Sequence, residues 1–267
     1  MVAIDFEFLE KEFYYFRMID HPNKLYSVHL ADFNKKEVIN EFINIYGEKI
    51  KALNSEVAAT YFFSIYGWIL SGLQYVLSHY DTALNVSLSN IELQMYYDKE
   101  HNYYGLGFRF IDCKDFPLST ERNQWRRDVL EKLYSTNVVP LVNLFHEATN
   151  VRLRDLYGQL SIGLYHGHDR VVEICQLVEE VAKIKDDFNF LTKELSPTIF
   201  NLKKNPFNIS FGMIESPREE GVMIRMKPSC CLYYQTEGAT TKCYGCPRMT
   251  NEERRERKNQ ILASMSN

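Results

Sequence analysis

The chain has 267 residues, 45% of them hydrophobic and 25% charged, the balance of an ordinary folded domain. Its length suits either one large domain or two small ones. The formal net charge of −4 gives no whole-molecule attraction to nucleic acid or anionic lipid, so nucleic acid is excluded as a partner and any positive patch must be local.

Residues 1 to 30 carry apolar side chains at Phe6, Leu9, Phe13 and Phe16, which predicts a short aromatic helix closed by the turn His21-Pro22-Asn23. The opening residues lack the basic and apolar regions of a secretory leader, which points to the cytoplasm. Lys36 to Leu53 repeats Val38, Phe42, Ile45 and Ile50 at helical spacing and predicts an amphipathic helix ending near Asn54. Val57 to Ser78 has no charged residue. That length suits a bilayer, but serines, a threonine, a glutamine and tyrosines dilute it and no basic cluster flanks it. It reads as a buried central helix stopping around Asp81.

The period then changes. Val86, Leu88, Ile91, Leu93, Met95 and Tyr97 lie two to three apart, Asp98 to Asn102 interrupt them, and Tyr104, Leu106, Phe108 and Phe110 resume, which predicts a hairpin with a five-residue loop. Helices return from Thr120-Glu121 through Trp125 and Leu133, with a kink or break at Pro140. Further helical segments run to Ala148, from Val151 to Tyr165 and from Val171 to Phe188. His166-Gly167-His168 between the last two reads as a turn, and Arg126-Arg127 as a solvated helix face. Phe207 to Met213 and Gly221 to Met226 predict a second hairpin. Thr250-Asn251-Glu252-Glu253 has the T-x-x-E capping-box pattern and predicts a mainly polar terminal helix to about Met265. The fold class is therefore α+β: a mostly helical body with two small antiparallel hairpins and a C-terminal cysteine knot, divided into a body over 1–222 and a cysteine-bearing segment over 223–267.

Chemistry concentrates in that segment. Cys230, Cys231, Cys243 and Cys246 form a CC-x11-C-x2-C pattern, while Cys113 and Cys175 stand alone and read as small buried hydrophobes. In a reducing compartment such a cluster reads as metal-binding or catalytic before it reads as disulfide-bonded. Three readings are open. Structural zinc usually takes two C-x2-C knuckles, and only Cys243 and Cys246 have that spacing. A two-iron cluster suits an adjacent pair better, because it offers two metal atoms. A redox dithiol is the third, although no thioredoxin-like βαβ pattern surrounds the C-x-x-C. Adjacent side chains diverge, so aiming Cys230 and Cys231 at one centre needs a bend, which Pro228-Ser229 just upstream could impose.

Arg225-Met226-Lys227-Pro228-Ser229-Cys230-Cys231-Leu232-Tyr233-Tyr234 with Cys243-Tyr244-Gly245-Cys246-Pro247 resembles the terminal motif of FhuF-type siderophore-iron (ferric hydroxamate) reductases. The loop between the cysteine pairs is one residue longer than the family's usual spacing. Upstream, Arg152 to Gln159 is similar to the family's Arg…Leu-Trp-Gly-Asn stretch, with Tyr157 in place of the Trp and Gln159 in place of the Asn. Agreement covers about residues 224 to 248 and fades before them. The resemblance implies a [2Fe–2S] cluster on Cys230, Cys231, Cys243 and Cys246 and one-electron reduction of a cytoplasmic ferric siderophore, which releases the iron as Fe(II). It also implies an external electron donor, a ferredoxin or a reductase, and peripheral association with a membrane siderophore transporter. A glycine-rich phosphate loop of Rossmann type is not found, which agrees with a separate donor. Between Arg225 and Lys258 eight basic residues face four acidic ones, a local net +4. Within it Arg225, Lys227, Tyr233 and Tyr234 are the candidates for substrate or donor contact. The competing reading from another class is a non-enzymatic interaction protein pinned by a structural zinc site of four cysteines.

Overall fold

The structure, a computed structural model, describes residues 3–239 and 241–265; Met1 and Val2, where the leader reading begins, and Thr240, in the loop between the cysteine pairs, lie outside the described residues. The chain is α+β and mostly helical. After α1 (Phe6–Glu12), short β1 (Phe16–Arg17) and β2 (Lys24–His29) precede α2 (Lys36–Lys49) and α3 (Ser55–Tyr80). Strand β3 (Thr82–Leu84), the hairpin β4 (Ile91–Asp98) and β5 (Tyr103–Phe110), and β6 (Asp115–Pro117) follow. Then come α4 (Arg122–Leu133), α5 (Val139–Thr149), α6 (Leu153–Ile174) and α7 (Val178–Asn189), the strands β7 (Met213–Glu215) and β8 (Met223–Arg225), and α8 (Asn251–Met265).

Helix α3 is the centre. Asn54 caps it by accepting the Val57 N–H, and Asp81 ends it in the left-handed region at φ 49°. It is buried along nearly its whole length by the rest of the chain, and among the described residues no helix is long and apolar enough to cross a membrane. On one side it meets α6 at a glycine crossing. A Cβ on Gly67 would lie 2.2 Å from the Leu160 carbonyl oxygen, and one on Gly163 would lie 2.5 Å from the Trp68 nitrogen, so neither position accepts a side chain. On the other side its aromatic face, Phe62 and Tyr66, packs on Phe108 of β5 and Phe145 of α5.

The predicted first hairpin is the centre of a larger sheet. Its strands order as β1-β5-β4-β2, with β2 antiparallel to β4 and β1 parallel to β5. Phe16 belongs to β1, not to the first helix, and Lys24–His29, just after the predicted turn His21-Pro22-Asn23, is a strand that the sequence reading did not assign. Val86 and Leu88 lie before β4, which starts at Ile91. Strands β3 and β6 pair separately, and the second hairpin is shorter than predicted and shifted: β7 starts at Met213, where the predicted Phe207–Met213 strand ended, and pairs three residues with β8 inside the predicted Gly221–Met226.

Three helical details differ from the sequence reading. Pro140 breaks nothing: a π-helical turn, Tyr134–Val138, joins α4 to α5, and Pro140 sits in the first turn of α5, where its missing N–H costs no bond. His166-Gly167-His168 is no turn but mid-α6; Gly167 is there because Ser71 of α3 lies 1.9 Å from where its Cβ would stand. Arg126 is not on a solvated face but buried, at 5% exposure, and ion-paired to Asp186 and Asp187.

His168 stacks on Phe188 with ring centres 3.9 Å apart, and burial, reinforced by Arg225 and Lys185 against Asp169, pushes its pKa down to about 4. An unfolded histidine titrates near ~6.5, so between those values the unfolded chain binds more protons. This contribution to stability is complete above the unfolded pKa and is lost as pH falls toward the folded one. Calorimetry is expected to show Tm falling between pH 7 and pH 5, with a shallower slope in His168→Phe; equal slopes would remove His168 from the account.

Candidate metal centre

The cysteine segment lies across the N-terminal end of α3. Backbone bonds clip the loop after Cys231 to the α2–α3 connection: Leu53 N–H donates to the Gln235 carbonyl at 2.9 Å and Glu237 N–H to the Lys51 carbonyl at 2.9 Å. Thr60, one turn into α3, donates its hydroxyl to the Cys231 carbonyl at 2.9 Å. Beneath the loop, Val57, Cys230, Leu232, Cys246 and Met249 form an apolar cluster distinct from the main core.

Helix α6 approaches from the other side. The Ser229 hydroxyl accepts from Gln159 Nε2 at 2.7 Å and donates to the Asp155 carbonyl at 2.9 Å. A Cβ on Gly158 would lie 2.5 Å from Ser229 Oγ, so glycine is what lets the segment seat this closely. The chain bends at Pro228-Ser229, as the sequence suggested, and turns again just after the cysteines. Leu232, buried and non-glycine, sits in the left-handed region at φ 59°, and its N–H donates to Cys230 Sγ at 3.4 Å. Such a conformation costs free energy and persists only where surrounding contacts hold it.

The four predicted thiols are brought together, and all six cysteines of the chain are free thiols. They run in a line of contacts: Cys231 with Cys243, Cys243 with Cys246, and Cys246 with Cys230, the last pair 3.5 Å apart. Among the described residues no group of three or more His, Cys, Asp or Glu is arranged to hold one metal ion. Cys113 and Cys175 stand apart, half-buried rather than buried. The thiols are not equivalent. The hydrogen bond with Cys246, helped by the Leu232 N–H, draws the Cys230 pKa down to about 7 against the effect of burial. The bond with Cys243, then burial, pushes the Cys231 thiol well up, and the bond with Cys230 raises Cys246.

The other candidates divide. Lys227 Nζ stands 3.5 Å from Cys231 Sγ. Burial works against its charge, but the pull of Cys231, Cys243 and Cys230 outweighs it, so its pKa rises and the lysine stays a cation. Arg225 is engaged elsewhere: it pairs with Asp169 and lies over the rings of Tyr165 and Phe211. Tyr233 is 46% exposed, and the Tyr234 hydroxyl accepts from Arg248 at 2.8 Å.

The terminal helix is more than a solvated rod. Its capping box closes reciprocally, Thr250 N–H to Glu253 Oε2 at 2.8 Å and Glu253 N–H to Thr250 Oγ1 at 3.2 Å. From its first turn Arg254 donates to the carbonyls of Tyr244, Cys246 (3.2 Å) and Met249 (3.4 Å), which ties the C-x2-C turn to α8. A mixed-charge helix hides such a residue in the sequence. Equally hidden is a cleft of about 350 Å³ between this segment and the body, lined by Cys231, Cys243, Lys227 and a group of tyrosines. On its other side the segment borders a groove of about 550 Å³ with Arg154, Lys204 and Lys227 in its wall.

Comparison of the chain with family models, with curated proteins and with solved structures finds no match.

Proposed function

We propose that this chain is a one-electron ferric-siderophore reductase of FhuF type that works in the cytoplasm on a [2Fe–2S] centre held by Cys230, Cys231, Cys243 and Cys246. The observation that carries the reading is the row of four thiols, Cys231-Cys243-Cys246-Cys230, with two of them opening onto a cleft. A row that divides into two pairs suits two metal atoms, each taking two thiolates, better than one tetrahedral ion, which needs all four around a point. When bound, such a group stores and passes one electron. The motif's resemblance to the family is the second support.

The chain's own residues supply the rest. Lys227 offsets thiolate charge beside Cys231, and the Leu232 N–H does so at Cys230; hydrogen bonds and charges around sulfur set the potential of such a site. Ser229, Thr60 and Arg254 fix the backbone on three sides. The reaction itself needs little more than position, because siderophore oxygens are hard donors that hold Fe(III) far better than Fe(II). The donor is a separate carrier, a ferredoxin or a reductase, and the basic excess around Arg248, Arg255, Arg257 and Lys258 favours an acidic one. Peripheral contact with a siderophore transporter would supply the substrate.

Purified without oxygen, the protein is expected to be coloured, with visible absorption that bleaches on reduction and an EPR signal from the reduced form. A colourless protein carrying one tightly bound zinc would overturn the reading in favour of a zinc-pinned interaction protein.

A further inference from the structure

The cleft beside Cys231 and Cys243 has a definite chemistry. Six tyrosines line it: Tyr15, Tyr46, Tyr61, Tyr103, Tyr104 and Tyr233. They come from the chain between α1 and β1, from α2, α3 and β5, and from the cysteine segment, so the cleft exists only because that segment docks on the body. Among the described residues its lining contains Lys227 and no carboxylate; Lys49, whose Nζ lies 6.0 Å from the centre of the Tyr104 ring, is paired with Glu48 at 3.1 Å.

Tyr103 Oη meets Tyr96 Oη at 3.4 Å, but other phenols are uncommitted. Those of Tyr15, Tyr46 and Tyr61 make no hydrogen bond to another described residue, and none of the three hydroxyls is among the fully enclosed unpartnered atoms, so each opens to the cleft. An unpartnered phenol that opens into a cleft is a donor available to a ligand or to water. An ordinary phenol titrates at about 10, so all three are O–H donors at neutral pH. Tyrosine faces, phenolic donors, and a lining that adds a lysine but no carboxylate together favour a ligand that is aromatic, rich in acceptor oxygens and anionic.

We infer that this tyrosine-lined cleft is the substrate site and that it selects ferric chelates of catecholate type, whose rings lie against Tyr103 and Tyr104 and whose anionic oxygens meet Lys227 and the free phenols. A catecholate complex offers both aromatic faces and net negative charge. An aliphatic hydroxamate complex offers neither, and an aliphatic carboxylate complex only the charge. The inference rests on the proposed reductase reading for its redox step: one electron from a reduced carrier protein of ferredoxin type converts the Fe(III) chelate to Fe(II), and the released catecholate oxygens take protons from solvent. A chelate in this cleft sits against Cys231 and Cys243 themselves, so no further relay is needed.

The test uses Ga(III) chelates, because Ga(III) has the charge of Fe(III) but cannot be reduced, so binding is read apart from turnover. Titration calorimetry of the full chain is expected to show the Ga(III) tris-catecholate complex bound at least tenfold more tightly than a Ga(III) tris-hydroxamate. Tyr104→Leu and Lys227→Gln should each weaken the catecholate about tenfold. Tyr103→Leu, at an exposed position on the same strand, guards against a single variant that folds poorly. Equal or tighter binding of the hydroxamate would overturn the selectivity, and unchanged binding in all three variants would overturn the site. The reading beneath it fails separately: a colourless zinc protein that still binds the catecholate in a Tyr104-dependent way keeps the cleft and loses the reductase. A coloured protein that reduces ferric chelates with unaltered affinity in the variants does the reverse.

Discussion

Cys231→Ser is expected to abolish the visible chromophore entirely while leaving the helical body folded. Cys231 sits at one end of the thiol row, in contact with Cys243 and with the Lys227 ammonium, and is 9% exposed. A serine oxygen is a harder donor with a far higher pKa, so it neither completes a soft four-thiolate set nor supplies the charge that Lys227 offsets. The damage should stop there. The apolar cluster beneath the cysteines is separate from the main core, which is built around α3 and holds no cysteine of the motif. Far-UV circular dichroism should match the parent, and only local protection around residues 230–246 should fall. A variant that keeps full absorption and metal content would show that the four-thiolate assignment is wrong, and a variant that unfolds altogether would show that the segment is part of the body's core.

How far the sequence foretold this molecule depends on whether the signal was local. Helix α3 was legible because an uncharged run with an Asn cap and an Asp stop has few other meanings, and the start of α8 because a capping box is a four-residue pattern. The cysteine motif was legible for the same reason. Phe13 and Phe16 misled, since a spacing of three reads as helical, whereas Phe16 is held in β1 by pairing with Phe108, ninety-two positions away. Strand β2 alternates only between half-buried and exposed side chains, too weak a contrast to stand out. Gly167 looked like a turn residue because its reason for being glycine is Ser71, on another helix. The bend at Leu232 could not be foreseen, because leucine is a poor choice for that conformation and is held there by contacts on both sides. The tyrosine cleft was invisible on the same principle: its walls come from five separate stretches, each of which reads on its own as ordinary core. Arg126 is the sharpest case. Beside Arg127 it reads as solvated charge, and only its partner sixty-one residues on changes that.

That partner is the position where a single substitution should unfold the protein most readily. Asp187 of α7 is fully buried, and its carboxylate accepts from Arg122 Nη1 at 2.9 Å, from Arg122 Nη2 at 2.7 Å and from Arg126 Nη1 at 2.8 Å. It thereby clamps α7 to α4, while the Arg126 guanidinium also lies 4.3 Å from the centre of the Phe190 ring. Asp187→Ala removes the acid and leaves Arg126, only 5% exposed, with Asn123 and the largely solvated Asp186. Stranding a buried charge costs roughly 3–5 kcal/mol, several times what a solvent-exposed pair contributes. For a chain of this length that corresponds to a fall in Tm on the order of 10 °C. No motif cysteine touches the clamp, so at low temperature the folded fraction should keep the visible spectrum of the parent. The cause is the abandoned charge more than the lost attraction, so removing the charge as well should recover stability. Asp187→Leu combined with Arg126→Met should melt well above Asp187→Ala, as apolar replacements of buried ion pairs commonly do. A loss under about 1 kcal/mol in Asp187→Ala would place Arg126 in solvent after all, and a double variant no better than the single would locate the cost in packing rather than in charge.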